Sequence, residues 1–186
     1  MKLILSKIKT YFGKLDKLLL FMCMGIACFA VFIQYTLYEN DISSAVTASQ
    51  YKTQIIAFIA GLVIAMALAA INYKYLAKLW FIYVPLAMGL TLLLFTPLGI
   101  QREGADDIGW LDLGIMTIQP SEILKLAFIL SLAVHLSKVE DRMNEPIHFI
   151  LLCIHGAIPT LLIRQTGDDG SALVFLFIFI CMMFAA

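Results

Sequence analysis

The chain has 186 residues, of which 62% are hydrophobic and 14% are charged, and its formal net charge is zero. A soluble domain is closer to half apolar and a quarter charged, so a soluble fold of this length could not bury so much apolar surface. The composition therefore indicates an integral membrane protein, and the balanced charge argues against nucleic acid as a partner.

Apolar runs long enough to cross a bilayer as helices recur along the whole chain. The first run follows a basic segment, as in a signal peptide, but it has no small-residue cleavage site, so we predict a retained helix. We predict an all-α, polytopic transmembrane bundle over residues 18–186, of about six helices, preceded by a basic cytoplasmic segment, residues 1–17. The predicted helices are 18–38, 54–71, 79–96, 119–136, 147–163 and 171–186.

The distribution of lysine and arginine between the predicted loops sets the orientation. With the N-terminus inside, only Lys52, Arg102 and Arg164 lie outside, whereas nine basic residues lie inside. Because basic residues concentrate in cytoplasmic loops, we predict a cytoplasmic N-terminus. The inner basic residues are Lys2, Lys7, Lys9, Lys14, Lys17, Lys74, Lys78, Lys138 and Arg142.

Cysteine and histidine offer no familiar metal-binding pattern. The four cysteines lie within apolar runs and show no CxxC spacing, so we interpret them as small residues of the membrane core. His148 and His155 are seven residues apart on one predicted helix, with no third ligand nearby. We therefore predict neither a disulfide nor a metal site formed by protein residues.

The longest outer loop, residues 97–118, contains several glycines and acids around an apolar cluster. Trp110 stands among Ile108, Leu111 and Leu113, and such a cluster should lie at the membrane interface or in a groove. Tryptophan is common at that interface without any catalytic role, so anchoring and substrate contact are both open. The acids of the outer loops could be ordinary solvated residues or could attract divalent cations.

The segment 119–125 combines polar residues with the start of a membrane helix. Pro120 suits the first helical position, and Glu122 then falls in the first turn, near the positive end of the helix dipole. Glu122 and Lys125 are three residues apart and share a helix face. Charges at this depth pair inside a bundle or line a hydrated cavity, so a structural ion pair, a groove lining and an ion relay remain alternatives.

A second polar site lies in the outer turn 164–171. Asp168 precedes the last predicted helix, where an acid is favoured as a helix cap. In a folded bundle this turn could also approach the start of the fourth helix. Glu122, Lys125 and Asp168 would then form one polar cluster, which is a hypothesis.

These same segments resemble the RodA/FtsW/SpoVE family of bacterial shape, elongation, division and sporulation proteins. Residues 110–114 (WLDLG), 118–122 (IQPSE) and 125–126 (KL) are similar to one family motif, and residues 168–174 (DDGSALV) are similar to a second. The motifs occur in the family's order, and the resemblance covers about residues 50–186.

The resemblance implies a multi-pass protein of the bacterial plasma membrane that polymerises lipid II, the undecaprenyl-linked precursor, into peptidoglycan. It also implies a class B penicillin-binding protein, a transpeptidase, as partner. A hydrated divalent cation, Mg²⁺ or Mn²⁺, could balance the phosphates, and no organic cofactor is expected. The implied substrate-binding or groove-lining residues are Trp110, Gln119, Ser121, Glu122, Lys125 and Asp168.

The sequence also departs from the family pattern. The family's arginine directly before the tryptophan is missing, and Thr166-Gly167 replaces its Gln-Pro before Asp168. The family's proposed catalytic acid lies in a later half that has no counterpart here, so the catalytic residue is unknown and we expect the front part of a longer protein. A flippase for the lipid-linked precursor and a non-catalytic membrane scaffold are the alternative functions.

Overall fold

The computed structural model describes residues 16–40, 48–71, 73–102, 104, 106–114, 117–143 and 145–186, without the side chains of 48, 49, 73 and 74. Most of the predicted basic segment 1–17 lies outside these residues. The chain divides into two units, Met1–Asn72 and Tyr73–Ala186, which are described separately below.

Within the described ranges, seven α-helices account for most residues. Each of the six long helices overlaps one predicted segment, although the second begins at Ala48 and not at residue 54, and the short helix α3 was not predicted. The all-α, polytopic fold is thereby confirmed. The helices are α1 Lys17–Glu39, α2 Ala48–Ala70, α3 Tyr73–Lys78, α4 Trp80–Leu92, α5 Pro120–Val139, α6 Pro146–Gln165 and α7 Asp169–Ala185, with 3₁₀ turns at Leu93–Phe95 and Glu140–Arg142.

Several of these helices have the length and apolar character of membrane spans. In the described chain these are Lys17–Glu39, Gln50–Ala70 and Pro146–Gln165, while Trp80–Phe95 and Asp169–Ala185 are apolar but shorter. Helix α1 buries none of its residues in the protein, although nearly all of them are apolar. Lipid is the solvent that such a surface requires.

The first unit is an antiparallel pair formed by α1 and α2. Asp16 caps α1, since its Oδ1 accepts a hydrogen bond from the Leu19 amide at 3.0 Å. Near the other end of α1, the Tyr51 ring of α2 lies 5.7 Å from Tyr35 and stacks on Tyr38 at 6.3 Å between centroids. Aromatic pairs at this separation stabilise the contact between the two helices.

The second unit has its core among α4, α5, α6 and α7. Phe128 of α5 and Phe175 of α7 pack with ring centroids 5.5 Å apart at the centre of this core. Gly156 of α6 faces the Phe179 ring of α7 so closely that a Cβ atom would overlap the ring. Small residues of this kind let membrane helices approach, which brings α6 and α7 together beneath their shared turn.

A three-stranded antiparallel sheet forms within the segment 97–118, which we had predicted to be a loop. Strands β1 Gly99–Ile100, β2 Trp110–Asp112 and β3 Thr117–Ile118 are in the order β1-β2-β3. Ile100 pairs with Trp110, and Leu111 pairs with Ile118. Leu111 is 1% exposed, so alternation along β2 directs Trp110 to the opposite face of the sheet.

Gly99→Ala should destabilise the protein, because a Cβ atom at Gly99 would overlap the backbone carbonyl of Leu94, which cannot rotate away. Overpacking against backbone costs about 1–3 kcal/mol, and we expect a lower unfolding midpoint in detergent. Gly89→Ala is the matched control, since a Cβ atom there meets nothing within 4 Å. Equal midpoints for the two variants would contradict the observed packing of β1.

Candidate functional site

The start of α5 holds an ion pair between two of the predicted site residues. Pro120 is the first helical residue and Glu122 falls in the first turn, as the sequence predicted. Lys125 Nζ lies 2.6 Å from Glu122 Oε1. The Lys125 side chain is 19% exposed and that of Glu122 is 59% exposed. The lysine side chain is therefore the more buried partner of the pair.

A cation covers the ring of Trp110 on the outer sheet. Arg102 follows β1 and places its guanidinium carbon 3.6 Å from the centroid of the Trp110 ring. Its Nη2 also donates a long hydrogen bond, 3.5 Å, to Thr117 Oγ1 at the start of β3. Arg102 is exposed, so the stacked pair presents a positive charge and an aromatic face to the same solvent.

Arg102 is a candidate functional residue that the sequence did not reveal. The sequence has no basic residue directly before Trp110, where the family that it resembles has an arginine. The structure instead brings Arg102 to Trp110 from eight positions earlier, across the β1–β2 pair. The sequence did show that Arg102 is one of the few basic residues predicted on the outer side, which could have marked it as a candidate.

Gln119 and Ser121 flank the first residue of α5 and occupy different environments. Gln119 is partly buried where β3 meets α5. If the pairing of β2 with β3 continued by one residue, Gln119 would lie opposite Trp110. A Cβ atom on Gly109 would come within 3.9 Å of Gln119 Nε2. Ser121 is 2% exposed, and its Oγ has no hydrogen-bond partner among the described residues. The hydroxyl of Ser121 is therefore buried, and its place in the lining of a groove stays a prediction.

Asp168 serves as the N-cap of α7. Its Oδ1 accepts a hydrogen bond from the Ser171 amide at 2.7 Å, which confirms the predicted cap. The preceding Gly167 has φ 87°, a conformation that glycine adopts readily where α6 ends. A backbone hydrogen bond of 2.9 Å from the Ile108 amide to the Thr166 carbonyl ties this turn to the outer loop. Asp168 and the Trp110 strand thus belong to one connected outer surface.

The predicted cluster of Glu122, Lys125 and Asp168 is only partly assembled. Within the described part of the chain, no hydrogen bond or ion pair joins Asp168 to Glu122 or Lys125. Its participation in a shared site stays a prediction.

A dedicated cation site is also not built from the described residues. No group of three His, Cys, Asp or Glu side chains among them converges as metal ligands would. The acids that the structure describes in the outer loops therefore do not form a protein cage for Mg²⁺ or Mn²⁺.

Asp168→Ala should lower the stability of the protein by about 1 kcal/mol, since the cap of α7 is lost. Asp168→Asn should keep the stability because asparagine caps equally well, and it removes only the charge. Thermal unfolding of the two variants beside an activity assay therefore separates a structural from an electrostatic role. A stable but inactive Asn variant assigns the charge to function, and full activity would leave Asp168 as a cap alone. Asp169→Asn, at a neighbouring exposed acid, is the control.

The helices and the paired charges at the start of α5 define a class: polytopic helical membrane proteins with an ion pair at the start of a membrane helix. The sequence profile of the FTSW_RODA_SPOVE family, described as cell cycle proteins, matches residues 14–186. The chain belongs to this family.

Curated relatives and solved structures agree with that assignment. Probable peptidoglycan glycosyltransferase FtsW of Geobacter sp. (strain M18) is 32% identical over 92% of this chain and 47% of that protein. The protein of the same name from Trichlorobacter lovleyi is 29% identical over 92% of this chain and 45% of its own length. The chain thus spans less than half of these two relatives.

Two solved structures share the fold. A chain from a structure on the coordination of polymerization and crosslinking by a peptidoglycan synthase complex superposes with a TM-score of 0.68, at 23% identity, over 86% of this chain and 45% of the other. Rod shape determining protein RodA of Thermus thermophilus gives 0.61 at 24% identity, over 83% of this chain and 52% of the other. This chain is a membrane protein similar to peptidoglycan glycosyltransferases of cell-wall synthesis.

Proposed function

We propose that this chain is the front part of a peptidoglycan glycosyltransferase in the bacterial plasma membrane, which polymerises lipid II outside the membrane. The observation that carries the proposal is the Glu122–Lys125 ion pair, at the helix start that directly follows the Trp110 sheet. A largely buried lysine side chain at this position can meet an anion brought to the membrane boundary by a lipid tail.

In this proposal the chain binds and orients the substrate. The leaving pyrophosphate of a lipid-linked sugar develops negative charge, and preorganised cations stabilise such charge. Lys125 supplies one cation at the membrane boundary, and Arg102 supplies a second on the Trp110 ring. Arg102 thereby compensates for the basic residue that the sequence lacks directly before the tryptophan. The base that activates the sugar hydroxyl is not assigned to any residue of this chain.

The names of the relatives support a polymerase and a partner enzyme. The curated relatives are named peptidoglycan glycosyltransferases, and one solved relative belongs to a peptidoglycan synthase complex concerned with polymerization and crosslinking. We propose a class B penicillin-binding protein as the crosslinking partner. A divalent cation, Mg²⁺ or Mn²⁺, is part of the proposal as a counterion of the phosphates.

The test uses the full-length protein with its partner in proteoliposomes, fluorescent lipid II and Mg²⁺. Glycan chains that depend on intact Lys125 support the transferase. Transfer of lipid II between leaflets without chain formation would instead identify a flippase, and the absence of both activities would favour a scaffold. Omitting Mg²⁺ in a parallel reaction tests the counterion separately.

A further inference from the structure

A short polar chain crosses from α5 to α6 within the apolar interior of the second unit. His135 Nδ1 lies 3.1 Å from His155 Nδ1, and His155 Nε2 lies 3.0 Å from Ser131 Oγ. The two imidazole rings stack with centroids 5.3 Å apart. From the sequence we had considered His155 together with His148, but His148 pairs instead with Glu145 at 3.3 Å.

This polar chain lines a cavity of about 230 Å³ between α4, α5 and α6. Lys138 and Trp80 also line the cavity, and Lys138 Nζ lies 5.7 Å from the centroid of the Trp80 ring. No acidic side chain lies among its lining residues, all of which are described, and Lys138 is the permanent positive charge among them.

A second, apolar cavity of about 310 Å³ adjoins the first. Ser131 and His155 line both cavities and mark their boundary. The remaining lining of the second cavity is apolar, for example Met88, Phe128 and Ile158. A cationic compartment next to an apolar one matches a molecule with an anionic head and a hydrocarbon chain.

The position along the bundle indicates which leaflet such a molecule would come from. Trp80 begins α4 and Lys138 stands at the end of α5, so the cationic cavity lies at the end of the bundle that the basic residues place inside. Tryptophan and lysine at this level are typical of the headgroup region, and anionic phospholipids are recognised by basic pockets between helices on the cytoplasmic side.

We propose that this pair of cavities binds an anionic phospholipid of the inner leaflet, with its phosphate at Lys138 and His135 and an acyl chain in the apolar cavity. The Ser131 hydroxyl donates to the Phe128 carbonyl at 3.1 Å, so its Oγ accepts from the His155 Nε2–H, and His155 Nδ1 accepts from the His135 Nδ1–H. His135 Nε2 takes no part in these bonds, and in the protonated ring it donates to a phosphate oxygen. The site is independent of the proposed outer function.

Native mass spectrometry of the full-length protein tests the proposal, with phosphatidylglycerol and phosphatidylcholine of identical acyl chains added in equal amounts. We expect phosphatidylglycerol to be retained preferentially, and Lys138→Gln to weaken its retention about fivefold, as for one basic residue at an anionic headgroup. His135→Phe should weaken it similarly while leaving the His155–Ser131 bond and the aromatic stacking in place. Arg142→Gln is the control, because Arg142 is exposed at the same end but does not line the cavity.

Thermal unfolding of each variant shows whether the fold is kept. Equal retention of the two lipids, or equal effects of Lys138→Gln and Arg142→Gln, would overturn the proposal. Displacement of phosphatidylglycerol by an equal concentration of inorganic phosphate would overturn it as well, because the acyl chain would then contribute nothing to binding.

Discussion

Replacing Lys125 with methionine should reduce the rate of lipid II polymerisation by the full-length protein about 100-fold, the typical cost of losing one preorganised charge-stabilising group. Methionine keeps the length of the side chain and removes only the ammonium. The stability should change little, because Glu122 is 59% exposed and remains hydrated without its partner. The measurement is glycan chain formation in proteoliposomes, beside the thermal unfolding midpoint.

Replacing Glu122 should affect the stability more than the activity, which is the reverse of what we expect for Lys125→Met. Glu122→Gln leaves Lys125, 19% exposed, as an unpaired cation at the membrane boundary, which costs about 1 kcal/mol. We therefore expect a larger loss of stability from Glu122→Gln than from Lys125→Met. Arg164→Gln is the matched control, since Arg164 is an outer cation, 71% exposed, whose ion pair at 3.6 Å is open to water. Unchanged polymerisation by Lys125→Met would remove Lys125 from the site.

Local features of the site could be predicted from the sequence. Pro120 marks the first residue of α5, and the spacing of Glu122 and Lys125 predicts that they share a helix face, which made an ion pair one of the three alternatives considered. The cap formed by Asp168 is equally local, because it depends only on the residues at the start of α7. Each of these features is decided within about four residues of chain.

The features that were not predicted depend on contacts between distant segments. The stacking of Arg102 on Trp110 requires the pairing of two short strands, which the intervening glycines and acids do not specify. The pairing of His135 with His155 similarly depends on how α5 packs against α6. From the sequence we compared His155 only with His148 on the same helix and predicted no site there, and a pattern within one helix cannot report a contact between helices.

Trp110→Ala should raise the KM for lipid II about tenfold, with a smaller change in kcat. The ring supports Arg102 at 3.6 Å, and without it the exposed guanidinium loses its position on the sheet. A contact made equally in the bound substrate and in the transition state affects KM more than kcat. Trp110→Phe should retain part of the effect, because phenylalanine offers a weaker face to a cation.

A double-mutant cycle decides whether Trp110 and Arg102 act together or whether the tryptophan only anchors the loop in the membrane. If Trp110 positions Arg102, then Arg102→Gln should add little in the Trp110→Ala background, with a coupling of about 0.5–1 kcal/mol. Strictly additive effects would favour anchoring, because an interfacial tryptophan stabilises the loop whether or not a cation covers it. Phe95→Ala, at an exposed aromatic just before the sheet, is the control and should leave KM unchanged. A positive coupling would show that Arg102, which follows β1, supplies the outer cation to Trp110 on β2. The order of residues in the sequence does not reveal this contact.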